Sequence, residues 1–368
     1  MKKLFACVLL FGLLLSGCWD LNDIDERSFV LGVAFDKEQM GEKYVMSIEI
    51  PVLANLGAEK GVSADQSLVL STTGTAVAQM IKSLELRNWR PLFFGHTKII
   101  VFGEEVAREG IWSFLNFFER NPHTDLRLKV FIADGEARDV LQTSNPREPL
   151  ASIYLNRLTE LESLTARTIT QNFQDSLIRL HDTGNTILPR VRSTETEFVI
   201  GGGALIKDWK LIAWLGENEA FAAQFLFDEV TRSNISVKLD EYIYSVFVSS
   251  SSTKIKPVLI SEQLAFKIDI KIECIVNEVF SLTRMDTDYV PLKEIENKVT
   301  EFVTDLINHL LEKLQSLKVD PFAFSQLTFR YYPEIWTKHK NHWDEEFFPQ
   351  IQFLVNCETQ VRQTGILE

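Results

Sequence analysis

The chain is short of everything that would mark it as a binder of polyanions or as a polymer without a core. Lys and Arg number 38 against 51 Asp and Glu, a formal net charge of −13. A field of that sign repels phosphate backbones and disfavours nucleic acid, and it argues against holding the whole body on anionic lipid by charge. Only 17 glycines and 11 prolines punctuate the 368 residues, too few breakers for a disordered or collagen-like chain. A long apolar run is also missing from the body. Its longest stretch without a charge, Gln66 to Ile81, is sixteen residues and carries Ser67, Ser71, Thr72, Thr73 and Thr75. That is too short and too polar to cross hydrocarbon. What remains is 45% hydrophobic, enough for a sizeable core, and at roughly 150 residues per domain two or three domains are expected.

The first eighteen residues hold a segment of another kind. Lys2 and Lys3 precede an apolar run from Leu4 to Leu15, and Leu15-Ser16-Gly17-Cys18 closes it with small residues before a cysteine. This is the layout of a secretory signal peptide, with a run too short to be a permanent span. A cysteine at that point is a lipobox. Cleavage between Gly17 and Cys18 and attachment of S-diacylglyceryl and N-acyl groups to Cys18 are expected. The alternative is an ordinary cleaved signal with an incidental cysteine. Cleavage would remove Lys2 and Lys3 and leave 36 basic against 51 acidic side chains, a net charge of −15. Two or more acyl chains suffice for stable anchoring, whereas one is marginal.

Cysteine adds little else. Cys7 leaves with the signal, so Cys274 and Cys357 are the thiols of the body. Phe266, Ile268, Ile270, Ile272 and Cys274 alternate with charged residues, and Ile351, Phe353, Val355 and Cys357 share a second face. Period-two alternation places both on inward strand faces. A disulfide between them stays open and would require the strands to be adjacent.

Strand and helix patterns alternate along the first part of the chain. Strands are expected at Phe29–Phe35, Tyr44–Val52, Gln66–Thr72, Lys98–Phe102 and Arg127–Ala133. Helices are expected around Val77, Met80, Ile81 and Leu84, and around Ile111, Phe114, Leu115 and Phe118. The fold class is therefore α+β, or mixed α/β, in two to three subdomains of mixed sheets with packed helices and no close relation to common enzyme folds. The expected division is a signal peptide over 1–17, an N-terminal α+β domain over 18–142, a helical connecting subdomain over 143–200 and a C-terminal α+β domain over 201–368. Gly201-Gly202-Gly203 marks the last boundary. Beyond it come a hairpin around Asp208-Trp209 and strands Tyr242–Ser249 and Glu262–Cys274 separated by the polar tract Ser249–Lys256. A long helix from Leu292 to Leu317 follows, striped by Ile295, Val299, Phe302, Leu306, Leu310 and Leu317, and a last strand covers Gln350–Glu358.

No constellation of catalytic residues stands out. The glycine run lacks the Lys-Ser/Thr of a phosphate loop. His339 and His342 lack further ligands at metal spacing, and Gly61–Asp65 lacks the closing glycine of a nucleophile elbow. An enzyme is therefore the weaker class, and no cofactor or metal is expected.

Several short motifs in order do carry a likeness. They are Cys18-Trp19-Asp20 with Asp23-Ile24, Gly32-Val33-Ala34-Phe35-Asp36, Gly95-His96-Thr97-Lys98, Phe118-Glu119-Arg120-Asn121-Pro122, Gly201-Gly202-Gly203-Ala204 with Lys207-Asp208, Trp214-Leu215, and Asp320-Pro321-Phe322. The chain resembles, over nearly its whole length, the Ger(x)C family, the lipoprotein C subunits of spore germinant receptors in endospore-forming bacteria. Asp23 stands where the family usually has Glu. The resemblance implies a body of three subdomains without enzymatic activity, lipid-anchored to the outer face of the spore inner membrane. It also implies two integral membrane partners, the A and B subunits, and a role in nutrient-triggered germination. Direct contact with a small-molecule germinant is left open. The competing reading is a solute-binding lipoprotein of a transporter, which would want two similar βαβ lobes, whereas these halves are unlike.

Overall fold

The computed structural model describes residues 27–39, 41–52, 66–162, 166–169, 171–281 and 290–364. The signal peptide, Gly17, Cys18, the Trp19–Ile24 motif and Gly61–Asp65 lie outside them.

Two larger sheets organise the chain. The first has eight strands: β2 (Gly32–Lys37), β3 (Tyr44–Pro51), β4 (Ser67–Gly74), β6 (Ile99–Phe102), β7 (Lys129–Ala133), β8 (Thr186–Ser193), β9 (Phe198–Lys207) and β10 (Lys210–Leu215). Their spatial order is β10-β9-β8-β7-β6-β2-β3-β4. The four central strands β8, β7, β6 and β2 run parallel, and an antiparallel pair flanks them on each side. Parallel strands are covered on both faces and read as unbroken apolar runs, which is why Ile99–Phe102 shows no alternation. Val33, Phe35, Ile100, Phe102, Val130 and Ile132 enter one core, and Ala34, Ile99, Val101, Phe131 and Ala133 enter the other. Helices α1 (Val77–Glu85), α3 (Trp112–Arg120) and α6 (Phe173–Thr183) cover the first face. Helices α4 (Ala137–Gln142) and α5 (Ala151–Glu162) cover the second. Helix α2 (Glu104–Glu109) bridges β6 to α3, and β1 (Ser28–Phe29) with β5 (Leu92–Phe93) forms a separate two-stranded parallel sheet.

The second large sheet has the order β11-β12-β13-β14, made of Ser233–Leu239, Tyr242–Ile260, Gln263–Phe280 and Gln352–Thr364. Helix α8 (Leu292–Leu317) lies on it, burying Ile295, Val299, Val303, Ile307, Leu310, Leu311 and Leu314. Phe302, Leu306 and Leu317, expected in that stripe, pack at its flank. Helices α9 (Phe324–Tyr331) and α10 (Pro333–His339) follow. The polar tract Ser249–Lys256 is not a connection but the middle of β12. Its backbone pairs across to β13, with a register shift between Val248 and Ser250, and hydroxyl-rich and branched residues are at home in that ladder.

The glycine run sits inside β9, so the first sheet continues through it to Leu215. Helix α7 (Glu217–Leu226) is then buried from Ala220 to Leu226. Its core takes Ile187, Leu205 and Leu215 from the first sheet together with Val246, Phe266 and Ile307 from the second unit. The division expected at residue 200 falls inside β9, a strand paired with β8 and β10 in one sheet, and beside a core that both units share. The glycines answer a packing demand. Gly202 has φ +75°, and a Cβ there would lie 2.2 Å from the Leu215 carbonyl oxygen, whereas one on Gly201 would meet only the Glu217 side chain.

Gly202→Ala combines a disfavoured backbone with a clash against main chain. It is expected to lower stability by at least about 2 kcal/mol and the unfolding temperature by several degrees, with Gly201→Ala as the mild control. Thermal melts of the two variants decide it, and equal midpoints would refute the assignment.

Candidate functional site

Three carboxylates are buried far more deeply than charge ordinarily permits. Asp36, at the end of Gly32–Asp36, accepts hydrogen bonds from the backbone N–H groups of Ala137 at 2.6 Å and Arg138 at 2.8 Å. Glu49 accepts from Ala151 and Ser152, both at 2.8 Å, and from the Ser67 hydroxyl at 2.9 Å. Asp320, at the head of Asp320–Phe322, accepts from Phe324 at 3.0 Å, Ser325 at 2.8 Å and the Trp343 indole N–H at 3.1 Å. In each case the donors are the first two residues of a helix: α4, α5 and α9. Those N–H groups have no partner within their own helix, and the helix dipole favours an anion there. Neither Glu136 nor Ala323, the residues preceding α4 and α9, caps its helix with a side chain. The remote carboxylate does so instead.

Burial raises all three acids, against the lowering effect of the hydrogen bonds. Asp36 is pushed up to about 6, and Glu49 and Asp320 move in the same direction. None of them is aimed at a cavity.

A second polar cluster ties the last third of the chain to the first sheet. Asn185 donates to Asp344 at 2.9 Å, and Glu345 accepts from Lys207 at 2.6 Å and Lys318 at 3.1 Å. Burial pushes Asp344 up to about 6, while the two lysines hold Glu345 below its usual range. Lys207-Asp208 is therefore a joint. Its neighbour turn, Asp208-Trp209, has positive φ at both residues, +48° and +65°, as a two-residue hairpin loop needs. The Trp209 backbone donates to the Gly184 carbonyl and accepts from Ile111 N–H.

A groove of about 970 Å³ lies beside that turn, between the start of α1, helix α3 and the β9–β10 turn. Trp112, Phe117 and Trp209 give it aromatic walls, and Glu109 on its rim takes Lys37 and the Tyr44 hydroxyl. Asn116 and Arg120, also on the rim, pair with each other at 3.0 Å. The Phe118–Pro122 motif runs along one side. Such a surface can hold a chain segment or a small ligand by shape and stacking, and its Glu109 and Arg120 are engaged by Lys37 and Asn116.

The remaining expected groups are dispersed. His339 stacks on Phe347 with 4.1 Å between ring centres, and His342 faces Glu346 at 3.9 Å. Among the described residues, no group of three or more His, Cys, Asp or Glu side chains could hold a metal ion. Cys274 and Cys357 are free thiols. Their strands are adjacent, but Cys357 pairs with Ile270 and Cys274 with Val361, four residues out of register. Burial pushes the thiols up to about 12 and 11, so neither is a ready nucleophile at neutral pH. No helix among the described residues is long and apolar enough to cross a membrane.

Comparison with known proteins gives concordant matches. Residues 20–193 match the family model of the spore germination protein N-terminal domain, and residues 201–365 match that of the spore germination B3/GerAC-like C-terminal domain. Spore germination protein A3 of Bacillus subtilis is 27% identical over 379 residues, covering 99% of this chain and 98% of that protein. Spore germination protein KC of the same organism is 23% identical over 397 residues, covering 99% and 96%. The crystal structure of the GerBC protein superposes with a TM-score of 0.60 at 20% identity, covering 93% of this chain and all of the other. That likeness shows a shared fold.

The raised carboxylates give the protein an unusual response to acid. The folded chain still holds protons on Asp36 and Asp344 at a pH where the unfolded chain, with ordinary values near 3.8, has released them. Their contribution to stability therefore rises as pH falls from 7 through 6 and levels off near 4, at up to about 1.4 kcal/mol per pH unit for each group. Glu345 and the arginine-paired Asp134 and Glu273, all held low, oppose this only at still lower pH. The unfolding midpoint should be higher at pH 5 than at pH 7.5, and Asp36→Asn should flatten that slope. A midpoint that falls between pH 7.5 and 5 would contradict the assignment.

Proposed function

The chain belongs to the GerAC, or Ger(x)C, family of spore germination proteins, and from that membership we propose that it is the lipid-anchored, non-catalytic C subunit of a nutrient germinant receptor. The observation that carries this reading is the joint presence of both family domains, over 20–193 and 201–365, behind a lipobox ending at Cys18. In this proposal the signal peptide is removed between Gly17 and Cys18, and acyl chains on Cys18 hold the body at the outer face of the spore inner membrane. The integral A and B subunits are its partners there. Anchoring confines the subunit to a thin layer and raises its concentration near them.

Two features support a structural rather than a catalytic part. The deeply buried acids are consumed in fixing helices, and the thiols are held protonated. The transporter alternative loses support from the topology. One eight-stranded sheet and one four-stranded sheet share a core through α7, without the two like lobes that clamp a solute.

Cys18→Ala removes the thiol that accepts the diacylglyceryl group. Spores of this variant are expected to retain less of the protein in the inner-membrane fraction and to release dipicolinate poorly in response to nutrient. Germination by agents that bypass receptors should stay normal. Immunoblots of spore membranes alongside nutrient-triggered release provide the test. Normal retention of the variant would mean that protein contacts suffice, and the anchor would have to be abandoned.

A further inference from the structure

The two most exposed large apolar side chains among the described residues lie three positions apart. Leu86 is 89% exposed and Trp89 83%, while the next, Tyr331, is 61%. Both sit in the turn that leaves α1. That turn is held rigidly: Leu86 N–H donates to Lys82, Arg87 N–H to Leu84 and Asn88 N–H to Glu85, and the Asn88 side-chain amide donates to the Arg90 carbonyl at 2.5 Å. The tip is thus presented outward by backbone hydrogen bonds instead of folding back on its own apolar groups. Arg90 stacks on the Trp89 ring at 3.9 Å, and Arg87 is exposed, with one guanidinium N–H given to the Ser71 carbonyl and its others open.

This tip lies where the described chain begins. Ser28 N–H donates to the Pro91 carbonyl, Ser28 pairs with Leu92, and Arg27 covers the Phe93 ring at 4.7 Å. From Arg27 back to Cys18 is nine residues, which can span at most about 30 Å. A lipid on Cys18 therefore keeps Arg27 within about 30 Å of the bilayer, and the Leu86–Arg90 turn leads directly into Pro91, which Ser28 holds.

Local charge also fits a membrane surface, although the whole protein is acidic. At the turn the charged side chains are Arg87 and Arg90, and Lys82 just before it is paired with Glu85, which leaves a local excess of positive charge. Screening at physiological salt confines each field to about 8 Å, so the patch and not the net charge decides what this tip meets. Tryptophan prefers the level of the headgroups, and arginine beside it pairs with phosphate.

We propose that the Leu86–Arg90 turn is a membrane-contact site, in which Leu86 and Trp89 enter the headgroup–acyl boundary and Arg87 and Arg90 meet lipid phosphates. The contact rests on the anchoring of Cys18 proposed above, and it adds a second point that fixes the orientation of the body on the bilayer. A lipid tail alone leaves the body free to tumble about its tether. With this turn seated, the α1 side of the first sheet faces the membrane.

The test uses the full lipidated chain in vesicles of phosphatidylglycerol and phosphatidylcholine brominated near the top of the acyl chains, with tryptophan emission as the readout. Trp19 adjoins the anchor and is quenched in any orientation, so the informative quantity is the difference between the native chain and Trp89→Phe. That difference signal is expected to fall by about two-fold or more on brominated lipid. A second variant, Leu86→Ser, keeps Trp89 and should relieve its quenching, and its circular dichroism should match the native chain because Leu86 is exposed. Equal quenching of native and Trp89→Phe chains would overturn the proposal. So would quenching of Trp89 that appears only when integral receptor subunits are added, since the turn would then be a protein contact. Failure of the anchor is seen separately, as a membrane-extracted chain without diacylglyceryl mass at Cys18. In that case the same comparison is made with a hexahistidine tag at position 18 on nickel-chelating lipid, and it decides the contact by the same criteria.

Discussion

Two helices of this protein begin on a carboxylate that belongs to another part of the chain, and the architecture depends on that interaction. Asp36 lies 101 residues from its first donor on α4, and Glu49 lies 102 residues from its first donor on α5. Both acids sit on strands of the first sheet, and both helices cover the same face of it. A buried carboxylate without partners would be too costly to keep, and a buried helix start without acceptors would be equally so. Each deficit removes the other, provided that strand and helix meet in one register. The pairing therefore sets where α4 and α5 sit as firmly as their apolar faces do. Gly103 shows how tight the arrangement is, since a Cβ there would lie 2.3 Å from an Asp36 carboxylate oxygen.

Asp320 repeats the device in the second unit, over a short loop. It joins α9 to Trp343 and so holds the irregular 340–350 segment against the end of α8. The same segment reaches back through Asp344 and Glu345 to Asn185 and Lys207. Together with α7, buried from Ala220 to Leu226, this joins the two family domains through a shared core. Motion imposed at one unit would pass through a shared apolar core and a polar joint rather than through a hinge. That rigidity lets a contact at one surface fix the orientation of another.

The sequence by itself determined the inventory. The expectation of a lipobox at Cys18 and the poverty of basic charge rest on composition and order, and they need no coordinates. Most strands and the long helix were legible too, because burying one face imposes a period of 2 or 3.6 on the residues, as Leu292–Leu317 shows to the residue. Even the motifs that carried the family likeness were visible, although what they do was not. Nothing in the neighbourhood of Asp36 shows that it caps a helix start 101 residues away.

Tertiary structure decided what local pattern could not encode. The glycine run looked like a break, yet it is a strand whose glycines answer the close approach of Leu215 and Ile187. The tract Ser249–Lys256 looked like a loop, because its polar residues lack an apolar period, but pairing with β13 satisfies its backbone and makes it strand. Exposure of Leu86 and Trp89 was equally hidden, since the same residues in a different packing would be core. In each case the deciding energy comes from groups far away along the chain, and a window of sequence holds only one of the two partners.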